Sequence, residues 1–81
     1  MTIAELNRQI LAVVRDATET EMEITEHTHL IRQMGLSSVE IMMMVSELED
    51  AFGIEIPPAA LRHVQTVGDL CSLIADLLRG N

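Results

Sequence analysis

Apolar residues recur at intervals of three and four along three stretches of the chain, which is the spacing of an amphipathic helix. The first stretch runs from Ile3 to Ala17 and the second from Ser37 to Phe52. The third begins after Thr66 and closes at Arg79 and Gly80. We expect each stretch to form a helix that turns one face toward a shared core. The predicted inward residues are Ile3, Leu6, Ile10 and Val13 or Val14, then Ile41, Met44, Val45, Leu48 and Phe52, and finally Val67, Leu70, Cys71, Ile74 and Leu77 or Leu78.

Residue pairs at the helix starts can satisfy backbone amides that have no partner inside the helix. Ser37 and Glu40 form the reciprocal Ser/Thr-x-x-Glu pattern at the start of the second helix. This pattern makes Ser37 the N-cap and Ser38 the first helical residue. Thr66 precedes the third helix and places Asp69 at its third position. These pairs fix where the second and third helices are predicted to begin.

Two segments break the helical period. Residues 18–36 interleave acids with threonines and are predicted to form a long loop whose apolar members pin it to the core. Residues 54–56 are predicted to be extended because residues before proline avoid the helical region. A short helix should follow from Pro58 or Ala59 to about His63. The chain therefore predicts an all-α fold, a small bundle of three main helices plus one short helix, in a single domain over residues 1–81. The predicted loop anchors are Ile24, Leu30, Ile31, Met34 and Leu36.

Composition and charge narrow the class of partner. Thirteen acidic residues face five arginines and no lysine, which gives a formal net charge of -8. Such a chain repels nucleic acid and anionic membrane surfaces, so we expect a charged partner to be basic. No apolar run reaches the roughly 18 residues of a membrane span. Because no signal peptide opens the chain either, we predict a cytoplasmic location without stable membrane insertion.

Few residues offer chemistry of their own. His27 and His29 occupy alternate positions in the loop, next to Glu26, but two imidazoles without a third firm ligand do not make a zinc site, so we expect no metal. No histidine lies near Ser38 in the sequence, which argues against a serine hydrolase and predicts no catalytic residues. Cys71 falls on the inward side of the third helix, where it is predicted to be a small buried apolar group.

The start of the second helix carries a distinctive motif. Met-Gly-Leu-Ser-Ser-Val-Glu ends at Glu40, and Phe-Gly-Ile-Glu-Ile-Pro follows at the other end of the same helix. These motifs and their spacing resemble the acyl carrier protein family, in which Gly-x-Asp-Ser-Leu opens the second helix. Gly35 matches the motif glycine and Ser38 the serine, whereas Ser37 replaces the aspartate and a valine replaces the leucine. The resemblance implies that Ser38 is the attachment point of 4'-phosphopantetheine, taken from coenzyme A.

The resemblance also implies that partner enzymes recognise the second helix. No basic residue occurs between Arg32 and Arg62, so this helix is predicted to present an uninterrupted negative surface. A helix turns about 100 degrees per residue, so three consecutive methionines cannot all face inward. Met44 suits the core, which leaves the other two partly exposed. The predicted partner-binding residues are Ser37, Val39, Glu40, Met42, Met43, Glu47 and Asp50.

Together these features predict a monomeric carrier that performs no chemistry itself. By resemblance, a phosphopantetheinyl transferase loads it, and acyl-loading, elongating or acyl-transferring enzymes with basic patches then use it in fatty acid, lipid or polyketide and other secondary-metabolite biosynthesis. The cargo alternatives are fatty acyl, polyketide, hydroxyacyl, and aminoacyl or peptidyl groups. In the family the motif aspartate can contact the transferase, so Ser37 supports a further alternative, an unmodified acidic helical interaction module.

Overall fold

Four helices form in the order that the hydrophobic pattern predicts, and the all-α fold is confirmed. The computed structural model describes residues 1–80, and within them the only extended pairing is an isolated bridge between His29 and Thr66. The predicted short helix is a 3₁₀ helix. The elements are α1 at Ile3–Thr18, α2 at Ser38–Phe52, the 3₁₀ helix at Pro58–His63, and α3 at Val67–Leu78.

Hydrogen-bonded caps explain where the three α-helices begin. Thr2, Ser37 and Thr66 lie in extended backbone just before α1, α2 and α3. Each of these hydroxyls accepts an amide hydrogen from the residue three positions later, which satisfies one otherwise unpaired donor. At the far end of α2, Gly53 donates its amide hydrogen to the Glu49 carbonyl. The predicted starts of α2 and α3 are therefore confirmed.

The core is aliphatic, as the single aromatic residue predicts. α1 packs against both α2 and α3, and Phe52 is only partly buried at the edge of the core. Val14 is fully buried whereas Val13 is partly exposed, which decides between these two positions. The most deeply buried side chains are Ile10, Val14, Met44, Leu48, Val67, Leu70 and Ile74.

Two residues predicted to face inward, Ile3 and Ile31, lie at the surface instead. Ile3, in the first turn of α1, is 64% exposed. At the end of α3, Leu77 is partly buried whereas Leu78 is exposed, which decides between these two positions. Ile3 and Leu78 line a shallow cavity at one end of the bundle, where none of residues 1–80 covers them. Ile31 is exposed because its neighbour Leu30 points into the core. Helical spacing identifies an inward side but not whether another element reaches that far.

The long loop, residues 19–37, is fastened to the start of α3. Leu30 donates its amide hydrogen to the Gln65 carbonyl at 2.9 Å, and Val67 donates to the Thr28 carbonyl at 3.0 Å. Gly68 donates to the Glu26 carbonyl at 2.7 Å. The predicted anchors Ile24, Leu30 and Leu36 are buried, and Met34 is partly buried. This fastening holds the segment that leads directly into α2.

Candidate functional site

The start of α2 is closed by a reciprocal cap. Glu40 donates its amide hydrogen to Ser37 Oγ at 3.2 Å, and Ser37 donates its own to Glu40 Oε1 at 3.0 Å. Both groups that the Ser-x-x-Glu pattern pairs are therefore in place. The Ser37 hydroxyl is engaged with the backbone, as the sequence predicts.

Ser38 follows as the first residue of α2 and is exposed. Within residues 1–80, no protein group hydrogen-bonds to its hydroxyl, and the amides of Ser38 and Val39 have no protein acceptor. Unpaired amides and aligned peptide dipoles give a helix N-terminus a partial positive charge that favours an attached phosphate group. The observed geometry fits a phosphodiester at this hydroxyl.

A tight turn aims the chain into α2. The amide of Gly35 donates to the Ile31 carbonyl at 3.0 Å, and that of Leu36 donates to the Leu30 carbonyl at 3.2 Å. Gly35 has φ of 66°, and a Cβ there would meet no atom within 4 Å. The glycine is therefore needed for its left-handed backbone rather than for space. Buried Leu36 then anchors the chain two residues before Ser38.

The outward side of α2 is apolar near Ser38 and acidic farther along. Val39, Met42 and Met43 are 66%, 68% and 58% exposed, whereas Met44 is buried, which confirms the prediction for the methionine run. The acids Glu40, Glu47 and Asp50 are exposed, although the first also serves the cap. A groove between α2 and the connector to the 3₁₀ helix is lined in part by Met42, Ser46, Asp50 and Glu55.

Glu49 differs from the other acids of α2. Its side chain is half-buried, and its Oε2 accepts the amide hydrogen of Ile56 at 2.8 Å. The carboxylate therefore fastens the extended connector to α2. The sequence shows both residues but not this contact, because the pair lies seven positions apart across the end of the helix.

A cavity of about 140 Å³ lies between the long loop, α2, the 3₁₀ helix and the start of α3. Its lining is mainly apolar, so transfer of an aliphatic group into it would be favourable. Sequence reasoning indicated an aliphatic core but could not locate this space, because four separate segments contribute to it. The lining residues are His29, Leu30, Ile31, Ile41, Met44, Leu61, Val64, Gln65 and Leu70.

The histidines and the cysteine occupy distinct environments. His27 and His63 are exposed, and His29 is half-buried with Nδ1 accepting backbone amide hydrogens. Among residues 1–80, no three histidine, cysteine or acidic side chains come together to hold a metal ion. Cys71 is buried as predicted, and burial, assisted by the charge of Glu26, raises the pKa of its thiol to about 11. The thiol therefore stays protonated.

The cap of α3 also engages the carboxylate of Asp69. The amides of Gln65 and Thr66 donate to Asp69 Oδ2 at 3.0 and 3.1 Å. These two hydrogen bonds lower the pKa of Asp69 from its ordinary value. The Thr66 hydroxyl accepts the Asp69 amide hydrogen at 3.1 Å in return.

Comparison with known proteins decides the family. A family model described as the phosphopantetheine attachment site matches residues 8–74, which include all of α2 and the open hydroxyl at its start. The chain belongs to this family. Within residues 1–80, no helix is both long enough and apolar enough to span a membrane.

Relatives in the family agree along most of the chain. A probable acyl carrier protein from Caulobacter vibrioides is 35% identical over 77 residues, which cover 94% of this chain and 90% of the relative. An acyl carrier protein from Lactobacillus acidophilus is 32% identical over 75 residues, covering 91% and 94% respectively. The resemblance predicted from the motif is confirmed, and the chain is an acyl carrier that uses phosphopantetheine rather than a catalyst.

A solved structure supports the same family assignment. It is a candidate acyl carrier protein from Mycobacterium tuberculosis, 28% identical, with a TM-score of 0.80. The match covers 86% of this chain and 95% of that one. The three-helix arrangement is therefore shared over nearly the whole length of both proteins.

Proposed function

We propose that Ser38 carries 4'-phosphopantetheine and that the chain presents an acyl or related group, as a thioester on that arm, to enzymes of fatty acid, lipid or secondary-metabolite biosynthesis. The observation that carries this assignment is the exposed Ser38 hydroxyl, beside two amides that have no protein acceptor among residues 1–80. In loading, the serine oxygen bonds to the coenzyme A phosphorus that bears pantetheine and the serine proton passes to a base. The pyrophosphate bond of coenzyme A breaks, and 3',5'-ADP leaves. The new phosphodiester lies against the open helix end.

Ser37 is the competing hydroxyl and is less suited to carry the arm. It accepts the Glu40 amide hydrogen at 3.2 Å, so a modification there would compete with the cap of α2. Ser38 makes no such contribution within the described chain. Ser37 therefore caps the start of α2, and Ser38 supplies the nucleophile.

Mass spectrometry tests the attachment site. After incubation with coenzyme A and a phosphopantetheinyl transferase, we expect the full chain to gain the mass of the arm and Ser38→Ala to gain nothing. Ser37→Ala is the matched control, since it removes the neighbouring hydroxyl and should still be loaded. Loading of Ser38→Ala, or no loading of the parent chain by several transferases, would contradict the assignment.

Ser37 also bears on which transferase acts. Aspartate caps a helix as well as serine does and adds a negative charge near the basic surface expected on the enzyme. We expect Ser37→Asp to raise kcat/KM for a transferase of broad specificity while leaving unfolding unchanged. A lower kcat/KM would instead indicate that the enzyme for this chain recognises an uncharged residue at position 37.

We propose that partner enzymes dock on the outward side of α2. Its apolar part lies beside Ser38, and the acids Glu47 and Asp50 lie one to two turns beyond the exposed methionines. A partner would then place an apolar depression near the mouth of its active site and arginine or lysine side chains beyond it. The residues assigned to this surface are Ser37, Val39, Glu40, Met42, Met43, Glu47 and Asp50.

Salt dependence tests the acidic part of this surface. We expect neutralisation by Glu47→Gln and Asp50→Asn to slow loading by a transferase at low salt, with the difference shrinking as salt is added. Asp16→Asn is the matched control, because it removes one exposed charge from α1 instead. An equal effect of the control would show that only net charge matters.

The cavity beside α2 suggests an aliphatic cargo of modest length. Its volume of about 140 Å³ is close to that of a dry protein cavity of about 150 Å³ that accepts benzene, so about six carbons would fill it. Each methylene that enters should add up to about 0.8 kcal/mol to the free energy of unfolding. In a series from acetyl to dodecanoyl carriers, we expect stability to rise and then level off near hexanoyl. No rise at all would exclude this cavity as the shelter.

We further propose that the chain acts as a monomer in the cytoplasm, as a single unit over residues 1–81. The buried side chains of all three α-helices belong to one cluster, which supports a single unit. Sedimentation of the loaded and unloaded chain would test the oligomeric state, and a concentration-dependent dimer would contradict it.

A further inference from the structure

The ring of His29 holds a turn of the long loop. Its Nδ1 accepts the amide hydrogens of Ile31 at 3.3 Å and Arg32 at 3.1 Å. The backbone of the same residue is bonded as well, donating to Gln33 Oε1 at 2.7 Å and accepting from Gln33 and Met34 at 3.1 Å. A nitrogen that accepts a hydrogen bond carries no hydrogen, so these two contacts require Nδ1 to be unprotonated.

This turn, residues 29–34, forms one wall of the cavity. His29, Leu30 and Ile31 all line it. The amide of Leu30 is tied to the Gln65 carbonyl ahead of α3. The turn ends three residues before Ser37, so its conformation affects both the cavity and the approach to α2. The opposite walls are Ile41 and Met44 of α2, Leu61 of the 3₁₀ helix and Leu70 of α3.

The charged groups near the His29 ring lie on the turn itself and on α3. The cavity residues supplied by α2 and the 3₁₀ helix are apolar and cannot titrate. Arg32 lies exposed on the turn itself, and α3 contributes Asp69, whose lowered pKa is caused mainly by backbone hydrogen bonds and in small part by attraction to His29. A positively charged His29 ring would therefore lose its hydrogen bonds from the amides of Ile31 and Arg32 and would be attracted to the Asp69 carboxylate.

We propose that His29 is a proton-sensitive clasp on the wall of this cavity. In its neutral form the ring closes the turn through Nδ1. A second proton on the ring converts that acceptor into a donor, which faces two N–H groups and releases them. The turn then opens and the cavity loses a defined wall. The consequence for an acyl cargo rests on the proposed function, whereas the clasp itself belongs to the unmodified chain.

The chain offers matched variants for a test. His29→Asn places an amide oxygen where it can accept the same two hydrogens but does not titrate, and His29→Ala removes the acceptor. His27→Asn is the control, since it changes an exposed histidine two positions earlier. The readouts are NMR amide protection at Ile31 and Arg32 and the methyl shifts that xenon causes at the cavity. Each is measured on the unmodified full chain between about pH 8 and pH 5, where histidine changes charge.

In the parent chain we expect protection of the two amides to fall by about tenfold as the pH is lowered, because one net hydrogen bond is worth up to about that factor. Xenon shifts should weaken over the same pH range. His29→Asn should show neither change, His27→Asn should behave like the parent, and His29→Ala should be unprotected throughout. Constant protection across this pH range, or the same loss in His29→Asn, would overturn the clasp. Failure of the proposed function would appear separately, as absence of the arm on Ser38.

Discussion

α2 and α3 begin with the same kind of reciprocal cap but end up in opposite situations. At α3 the first two amides are occupied by the long loop, since Val67 donates to the Thr28 carbonyl at 3.0 Å and Gly68 to the Glu26 carbonyl at 2.7 Å. The loop carbonyls thereby accept the amide hydrogens that would otherwise be available to an anion. The start of α3 therefore serves to hold the long loop against the helix.

At α2 no segment among residues 1–80 crosses the helix start. The amides of Ser38 and Val39 have no protein acceptor within this part of the chain, and the Ser38 side chain is exposed. The cap chemistry is shared, so it cannot explain why the two ends differ in these amides. What distinguishes the two ends is whether another part of the chain lies across them.

The largest effect should come from forcing the loop away from α3. A Cβ on Gly68 would lie 2.8 Å from the Glu26 carbonyl oxygen, closer than two such atoms can approach. Because the obstructing atom belongs to the backbone, the loop itself must move. We expect Gly68→Ala to lower the free energy of unfolding by about 1–3 kcal/mol, measured by chemical denaturation.

A matched substitution on the same helix controls for the general effect of changing α3. Ser72 is exposed one turn later, so Ser72→Ala should change stability by no more than about 0.5 kcal/mol. If both variants were equally stable, the close approach of Gly68 to the loop would not be a real constraint. Loss of stability in both would point to α3 as a whole.

An intermediate effect should follow removal of either cap. Ser37→Ala and Thr66→Ala each delete the hydroxyl that accepts an amide hydrogen at 3.2 and 3.1 Å, and we expect each to cost about 1 kcal/mol. Hydrogen exchange should separate them. Thr66→Ala should also expose the amides that the loop covers, whereas the effect of Ser37→Ala should stay within the first turn of α2.

Exchanging serine and threonine at the same two positions sharpens the comparison further. Thr66→Ser keeps the hydroxyl and should retain nearly all the stability of the parent, as should Ser37→Thr. If either replacement were as damaging as alanine, the stabilisation would come from packing of the side chain rather than from the cap.

The sequence could reveal both caps because each depends on residues three positions apart. The same local reasoning located α2, its first residue Ser38 and the inward position of Met44. It also predicted that Ile24 and Leu30 pin the loop to the core, which the structure confirms. Properties set within one or two turns of chain are readable from spacing and residue type alone.

Contacts between distant segments were beyond that reasoning. Nothing local indicates that the Glu26 carbonyl meets Gly68 or that Glu49 bonds the Ile56 amide. The exposure of Ile3 was mispredicted for the same reason. Each outcome depends on which elements approach one another, and periodicity within one helix does not contain that information.

The smallest effect should appear as a difference in acid sensitivity between the two helix starts. Backbone hydrogen bonds lower the pKa of Asp69 below its ordinary 3.8, so its carboxylate stabilises the folded chain above that pH. This stabilisation is lost as the pH falls through the lowered pKa. We expect Asp69→Asn to be less stable than the parent near neutral pH and to lose less stability on acidification.

Applying the same replacement at α2 decides whether this behaviour belongs to every reciprocal cap. Two backbone amides donate to Asp69, from Gln65 and Thr66, whereas one donates to the Glu40 carboxylate, from Ser37. We therefore expect Asp69→Asn to reduce the stability lost on acidification more than Glu40→Gln does. Equal reductions would mean that the cap alone sets the response. A larger effect at Glu40 would show that the open end of α2 depends more on its carboxylate than the start of α3 does.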